Sequence, residues 1–600
     1  MSLSKAIGKG YRIIALGMIL CVLMVSAGCG SDSEPTQAPA AKAPAAKAPA
    51  AKAPAAKAPA AKAPAAKAPA AKAPAAKAPA KKSLFEIAKA DIDPDRSRVP
   101  EGKVTIGVHV NVSPDWMNPQ TVTASLMPYE LMLKVHDLML KPSPASVFTY
   151  ALADQFEMAE DFKSVTMRLR EGVLFHDGSS VTIDDVIFSY ENYHGANSKF
   201  MHEKTASIEA TGDRGVKINF KEPFPDFLYY YATPMTGAGI VIPKDYYLSM
   251  GEDNESRDTK FVQAPIGAGP YKFVGQEPGI EVEFEAFTDY WRKVPHVKTI
   301  VSRGIRELAV RVAALKTGEA DFVYFVTGEL LQSVIDDPDL QYDPNNSAPF
   351  WLMFPDRNDP NSPFNDARVR KAISLAMDRD WLAEQETVGM AVPTGNYIPY
   401  SWPGALQREP DEYNVAEAKS LMAEAGYGDG FKLDWFTPFP AVESLSLRIM
   451  DQLREIGIEG EMQVMERPVY YEKLRSGLTE DGMSHTGFPG RQIVMSISLL
   501  AGTAAGYIDT FATCEGNNSL VCEDRVQALW DKYLTVYDPK ARENLMIEAQ
   551  EILLDEHILV PIYINAFTMG IGSKVAGQPS DYTSVKMNVL AGPNEDFKLK

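Results

Sequence analysis

Cysteine is scarce in this chain, with four in 600 residues, and beyond residue 29 only Cys514 and Cys522 remain. Two thiols with no further ligands nearby do not make up a metal site. Long apolar runs are missing as well: Ile13 to Val25 is 13 residues, short of the roughly 20 that a membrane-spanning helix needs. Basic charge is in deficit. Residues 1 to 82 hold 13 of the 60 Lys and Arg but only 2 of the 79 Asp and Glu, so the remainder carries 47 basic and 77 acidic side chains. That balance excludes nucleic acid as a partner, because phosphate binding needs clustered cations. Catalytic signatures are absent too. There is no zinc-protease His pair, no serine elbow and no Cys–His arrangement, and Gly267-Ala-Gly269 lacks the Gly-Lys-Ser of a phosphate loop. The chain is therefore read as a non-enzyme without cofactor or metal.

What is present begins with a leader. Lys5, Lys9 and Arg12 precede the apolar run, and Ser26-Ala27-Gly28 leads into Cys29, a secretory signal over residues 1–28. The small residues before Cys29 resemble the lipobox of bacterial lipoproteins, although Ser26 stands where that pattern has Leu. The resemblance implies a lipid on Cys29, holding the protein to a membrane surface without spanning it; an ordinary signal peptide with an incidental cysteine is the other reading. From Lys42 to Ala80 an Ala-Lys-Ala-Pro-Ala unit repeats every five residues. Proline at that spacing forbids a continuous helix, so residues 29–98 are read as an anchored cysteine plus an extended spacer, at ~3.1 Å per residue. Export to an oxidising compartment predicts a Cys514–Cys522 disulfide.

The folded part mixes strands and helices. Lys103 to Val110 alternates as a half-buried strand, and Leu126 to Leu140 has the character of a helix. Ser164 to Arg170 alternates again, Glu171-Gly172 turns, Val173 to Gly178 is expected to return as a hairpin partner, and Thr182 caps a helix starting at Ile183. His176, Asp177, Asp184 and Asp185 lie close in sequence there, but Asp-Gly turn chemistry and acids in a first helical turn explain them without a metal.

Arg170-Glu-Gly-Val-Leu-Phe-His-Asp-Gly178 with Thr182-Ile-Asp-Asp-Val-Ile-Phe-Ser-Tyr190 resembles the signature of family 5 extracellular solute-binding proteins, which serve oligopeptide, dipeptide and nickel ABC importers. Ile266-Gly-Ala-Gly-Pro-Tyr-Lys-Phe273, Pro363-Phe-Asn-Asp-Ala-Arg-Val-Arg-Lys-Ala372 and Ala423-Glu-Ala-Gly-Tyr427 follow in the family's order. The resemblance implies an α/β, bilobal periplasmic-binding-protein-like fold (type II, cluster C) with an extra domain and a two-strand hinge. Domain I would take 100–145, 262–345 and 566–600, domain II 146–261 and domain III 346–565. It also implies a small-molecule or peptide-like ligand, ABC permease subunits and their ATPases as partners, contact with a membrane through the anchor alone, and a monomer outside the cytoplasm. A ligand-sensing receptor of the same fold that signals without transport is the alternative.

Gly482 to Ile508 spans 27 residues with one full charge, Arg491. A guanidinium in a dry place needs an anion. In peptide-binding members a Gly-Trp pair is followed by an Asp that holds the peptide's amino end, and Gly487-Phe488 aligned on that pair puts Arg491 at the acid's position. The resemblance then implies a cleft lined by Arg491, Phe488, Gly487, Trp351 and Trp116, with Arg491 clamping an anionic group by paired hydrogen bonds. The competing readings are an alignment that slips by a few residues and an Arg491 paired internally with an acid from another segment.

Overall fold

Two strands are much longer than the rest, Gln341–Met353 with 13 residues and Val560–Ile571 with 12. The computed structural model to which they belong describes residues 87–577 and 593–600, apart from 122–125, 145, 147, 233–235, 401, 403, 440–441, 498–502 and 517. The expected signal peptide, Cys29 and the repeat lie outside the described residues. The long strands run antiparallel, with Gln341 opposite Ile571 and Leu352 opposite Val560. Val560–Ile571 belongs to two hydrophobic cores in turn, and Gln341–Met353 enters the second of them from Ala348 onward. Met569 and Ile571 pack in a first core with residues between Val104 and Tyr324, while Ala348, Phe350 to Met353 and Val560 to Tyr563 pack in a second that spans residues 348–563. Two bodies are thus joined through one continuous sheet.

In the first body, Glu101–Val108 lies between two parallel neighbours, Val297–Gly304 and Phe322–Val323, and the sheet continues through Glu281–Ala286 to Tyr271–Glu277. Where Phe322–Val323 meets the long strand, Val323 faces Gly570. A Cβ at Gly570 would fall 2.6 Å from Leu315 Cδ2, so only glycine lets the Leu308–Thr317 helix approach this closely. In the second body, Gln492–Ile497 pairs with Gln341–Met353 on one side and Trp435–Thr437 on the other. All six of its residues are buried, which explains why the surrounding stretch is poor in charge.

A separate four-stranded antiparallel sheet runs Ala153–Met158, Ser164–Leu169, Gly215–Phe220, Thr205–Ala210. The expected alternation at Ser164 to Arg170 is present, but its partner differs. Val173 to Gly178 does not return along it; Leu174 makes only an isolated bridge to Ser180, and Ser164–Leu169 pairs with Ala153–Met158 and Gly215–Phe220 instead. The diversion has a cause in His176, which is 8% exposed and sits 3.0 Å by Nε2 from the Gly269 carbonyl. Burial depresses its pKa to about 3. Thr182 caps the Ile183–Asn192 helix as a capping box: its hydroxyl accepts from the Asp185 amide, and the Asp185 carboxylate accepts from the Thr182 amide at 2.9 Å.

The N-terminal segment is pinned to the first body. Ala88 exchanges backbone bonds with Phe148 and Tyr150, and Arg96 donates to the Tyr290 and Trp291 carbonyls at 2.6 and 2.8 Å. Arg98 donates to the Val294 carbonyl at 2.6 Å. No helix among the described residues is long and apolar enough to cross a membrane.

Under the Leu126–Val135 helix lies a buried ion pair, Lys134 with Glu130, at 0% and 1% side-chain exposure. Ser302 Oγ donates to Glu130 at 3.1 Å, and the ammonium sits 5.6 Å from the Phe284 ring. Removing one member leaves the other charge in the core. Lys134→Ala is expected to lower unfolding free energy in a urea titration by about 3 to 5 kcal/mol, with the Glu130→Leu/Lys134→Leu pair losing less. Equal losses in the two proteins would contradict the buried-charge account.

Candidate functional site

The parallel strands of the first body point their carboxyl ends toward the second. From Phe322 the chain climbs past Val323 toward Val326, whose amide donates to the Thr568 carbonyl, and Glu101–Val108 runs the same way. The residues that follow, His109 to Gln120, therefore occupy the edge facing the second body, the usual ligand edge of such a sheet. His109, Phe325 and Phe567 pack there as tilted rings at centroid distances of 5.8 and 4.8 Å. Trp116 lies on this edge, half-buried in the Pro114–Met117 turn.

The bodies meet a second time, away from the crossing strands. Asp226, just before the Phe227–Tyr231 helix, forms an ion pair with Arg542 on the Pro539–Asp555 helix and accepts from the Tyr533 hydroxyl at 2.9 Å. The Arg542 guanidinium lies 3.6 Å from the Tyr533 ring centroid and donates to the Tyr533 and Val536 carbonyls, which fixes it on the second body. Beside it the Tyr230 hydroxyl is 3.4 Å from Asp509 Oδ2 on the Ala504–Phe511 helix. Crossing strands at one line and this latch at another leave two surfaces facing each other between them. No local sequence pattern marks Asp226, Asp509, Tyr533 or Arg542.

The sequence-predicted residues do not gather there. Ile497 pairs with Phe350 and Val494 with Met353, so Gln492–Ile497 runs toward the hinge and Arg491 precedes its far end. At ~3.3 Å per residue, Arg491 is about 20 Å along the strand from Ile497. Its amide donates to Asp434 at 2.9 Å, its Nη1 to the Lys432 carbonyl at 3.3 Å, and its guanidinium sits 5.5 Å from the Phe431 ring. Asp356 is close by: burial pushes that carboxyl up to about 6 while the Arg491 charge works in the opposite direction. Arg491 Nε has no hydrogen-bond partner, and no acid among the described residues lies within ion-pair distance of the guanidinium. Phe488 is fully buried against Tyr470 and His485, and a Cβ on Gly487 would strike the Lys473 carbonyl at 2.1 Å, so both are packing residues. Trp351 is fully buried beside Tyr397 and Phe511, with its indole Nε1 unpaired. Residues 498–502 lie outside the described residues. Cys514 and Cys522 are joined as a disulfide.

Burial, with the Asp226 charge adding to it, raises the Asp509 carboxyl to about 6 against the Tyr230 hydrogen bond. A carboxyl raised by closing contributes its stabilisation fully below its ordinary value near 4 and loses it as pH rises through 6. The closed-to-open ratio, followed by solution scattering, should thus fall between pH 4 and 6 by up to about tenfold per unit. Asp509→Asn should flatten that profile, and a profile identical to the parent's would remove Asp509 from the closure.

Comparison with known proteins agrees with this geometry. A family model described as bacterial extracellular solute-binding proteins, family 5 Middle, matches residues 147–486, more than half of the chain. The glutathione-binding protein GsiB of Pectobacterium atrosepticum is 26% identical over 466 residues, covering 73% of this chain and 87% of that protein. Among solved structures, the periplasmic binding protein DppA of Helicobacter pylori in complex with the peptide STSA superposes with a TM-score of 0.67 at 24% identity, covering 83% of this chain and 98% of that one. NikA of Brucella suis in complex with Fe(III)-EDTA gives 0.70 at 20% identity, covering 83% and 100%. Two bodies joined by two long strands, an edge of parallel strands between them and a match over more than half the sequence make this chain a member of the family 5 bacterial extracellular solute-binding proteins.

Proposed function

We propose that the protein is the lipid-anchored capture component of an ABC importer, taking a small solute between its two bodies and presenting the closed form to a permease. The observation that carries this reading is the pairing of a two-strand crossing with a separable polar latch. Such a molecule opens by bending two strands and releasing one ion pair with its neighbouring hydrogen bonds, and a solute that touches both surfaces favours the closed state by its differential affinity. The domain division 100–145, 262–345 and 566–600, then 146–261, then 346–565 is supported by the four-stranded sheet, which falls within 153–220, and by the second core, within 348–563.

For the ligand, Trp116 is the retained wall of the site. Peptide-like and anionic small solutes are the expected class. GsiB and DppA, whose names and bound molecule are peptidic, support this choice. Because a ligand's apparent affinity scales with the competent population, Asp226→Ala, which removes the latch while leaving the carbonyl bonds of Arg542 intact, should weaken binding by about 10- to 100-fold. Titration calorimetry against short peptides and organic acids, with scattering on the same samples, reads both quantities. Binding without any decrease in radius of gyration would refute closure as the mechanism.

The anchor is supported by the signal and the small residues before Cys29. Cys29→Ser is expected to shift the protein from the membrane fraction to the soluble exported fraction. If the variant stays with the membrane, lipid on Cys29 is not what holds it.

A further inference from the structure

Phe567 is the only residue of the Val560–Ile571 strand that is not buried. It lies opposite Asn345, beside the register shift between Asn346 and Ala348, where the ladder is locally disrupted. Its ring packs against the second core, while the Phe325 ring, 4.8 Å away, packs against the first. Two half-buried aromatic rings therefore meet where one core gives way to the other, on the edge that faces the second body.

Phe325 is held there in a strained conformation. Its φ of 58° is left-handed, which a bulky side chain rarely adopts. The neighbouring backbone fixes it: the Tyr324 amide donates to the Gly107 carbonyl at 3.0 Å and the Val326 amide to the Thr568 carbonyl at 2.9 Å. Arg311, buried on the Leu308–Thr317 helix, completes the clamp by donating Nε to the Tyr324 carbonyl at 3.0 Å and Nη2 to that of Phe325 at 3.3 Å. The strain has a visible result. Val323 packs with the Leu308–Thr317 and Gly328–Ile335 helices in a third, smaller cluster, and Tyr324 packs in the first core. Continued alternation would send Phe325 to the side of Val323. The left-handed turn keeps its ring on the first core's side instead, half open and against Phe567. Strain over-determined in this way marks functional positions.

We propose that the Phe325 and Phe567 rings form a floor for an apolar side chain of the solute, which makes Phe325 a specificity-determining residue. This rests on the reading of the protein as a closing capture component for peptide-like solutes. An aromatic side chain laid on the pair loses its contact with water as the bodies close. Isothermal titration of the whole protein with Ala-Phe-Ala and Ala-Ala-Ala, with solution scattering on the same samples, tests it. Ala-Phe-Ala is expected to bind about tenfold or more tightly than Ala-Ala-Ala. Phe325→Gly and Phe325→Asn, both to residues that take a left-handed φ readily, should bring that ratio close to one with the melting temperature little changed. Asp226→Ala should weaken both peptides together and keep the ratio. Closure on either peptide with a ratio near one, or a ratio unchanged in both Phe325 variants, would overturn this inference and leave capture standing. Loss of the ratio in Asp226→Ala would overturn it too, by tying the preference to the latch. Binding of neither peptide would sink it together with the peptide-like class on which it rests.

Discussion

The fold depends on one constraint, that the strand Val560–Ile571 belongs to two hydrophobic cores at once while Gln341–Met353 runs beside it. A strand buried on both faces needs apolar residues throughout, and Phe350 to Met353 and Ile562 to Ile564 supply them on the second-body side. Toward the first body the same strands must accept a helix at close range, which Gly570 permits. Because both strands are hydrogen-bonded along most of their length, bending is confined to the stretch where one core ends and the other begins, which the register shift between Asn346 and Ala348 marks.

The latch is built from different physics. An ion pair between Asp226 and Arg542 with the guanidinium against Tyr533 is largely withdrawn from water, so it is screened less than a surface pair and is set geometrically by the carbonyls that hold Arg542. Asp509 beside it is a carboxyl in a setting that favours its neutral form. Hydrophobic burial thus makes the joint permanent, while polar contact makes the second line of contact reversible.

How much of this was legible in the sequence follows from the range of each interaction. Alternation at Ser164–Leu169 and the Thr182 cap are local, spanning a few residues, and were read directly. The partner of Ser164–Leu169 was misread because His176, buried against Gly269, draws the following segment away from a hairpin, and that contact joins residues 93 apart. Asp226 and Arg542 lie 316 residues apart, and nothing in either neighbourhood announces the other. The charge-poor stretch around Arg491 signalled a buried strand, while the direction of that strand comes only from its pairing with Gln341–Met353.

Arg96 and Arg98 grip the carbonyls of residues 290 to 294, and Ala88 is stitched to the strand at Tyr150. Those grips all sit on one body. Tension applied to the chain upstream of Ile87 is therefore borne by that body alone and never crosses the bending strands. A pull on the N-terminal end would leave the hinge mechanically idle, so solute rather than force decides whether the jaws are shut.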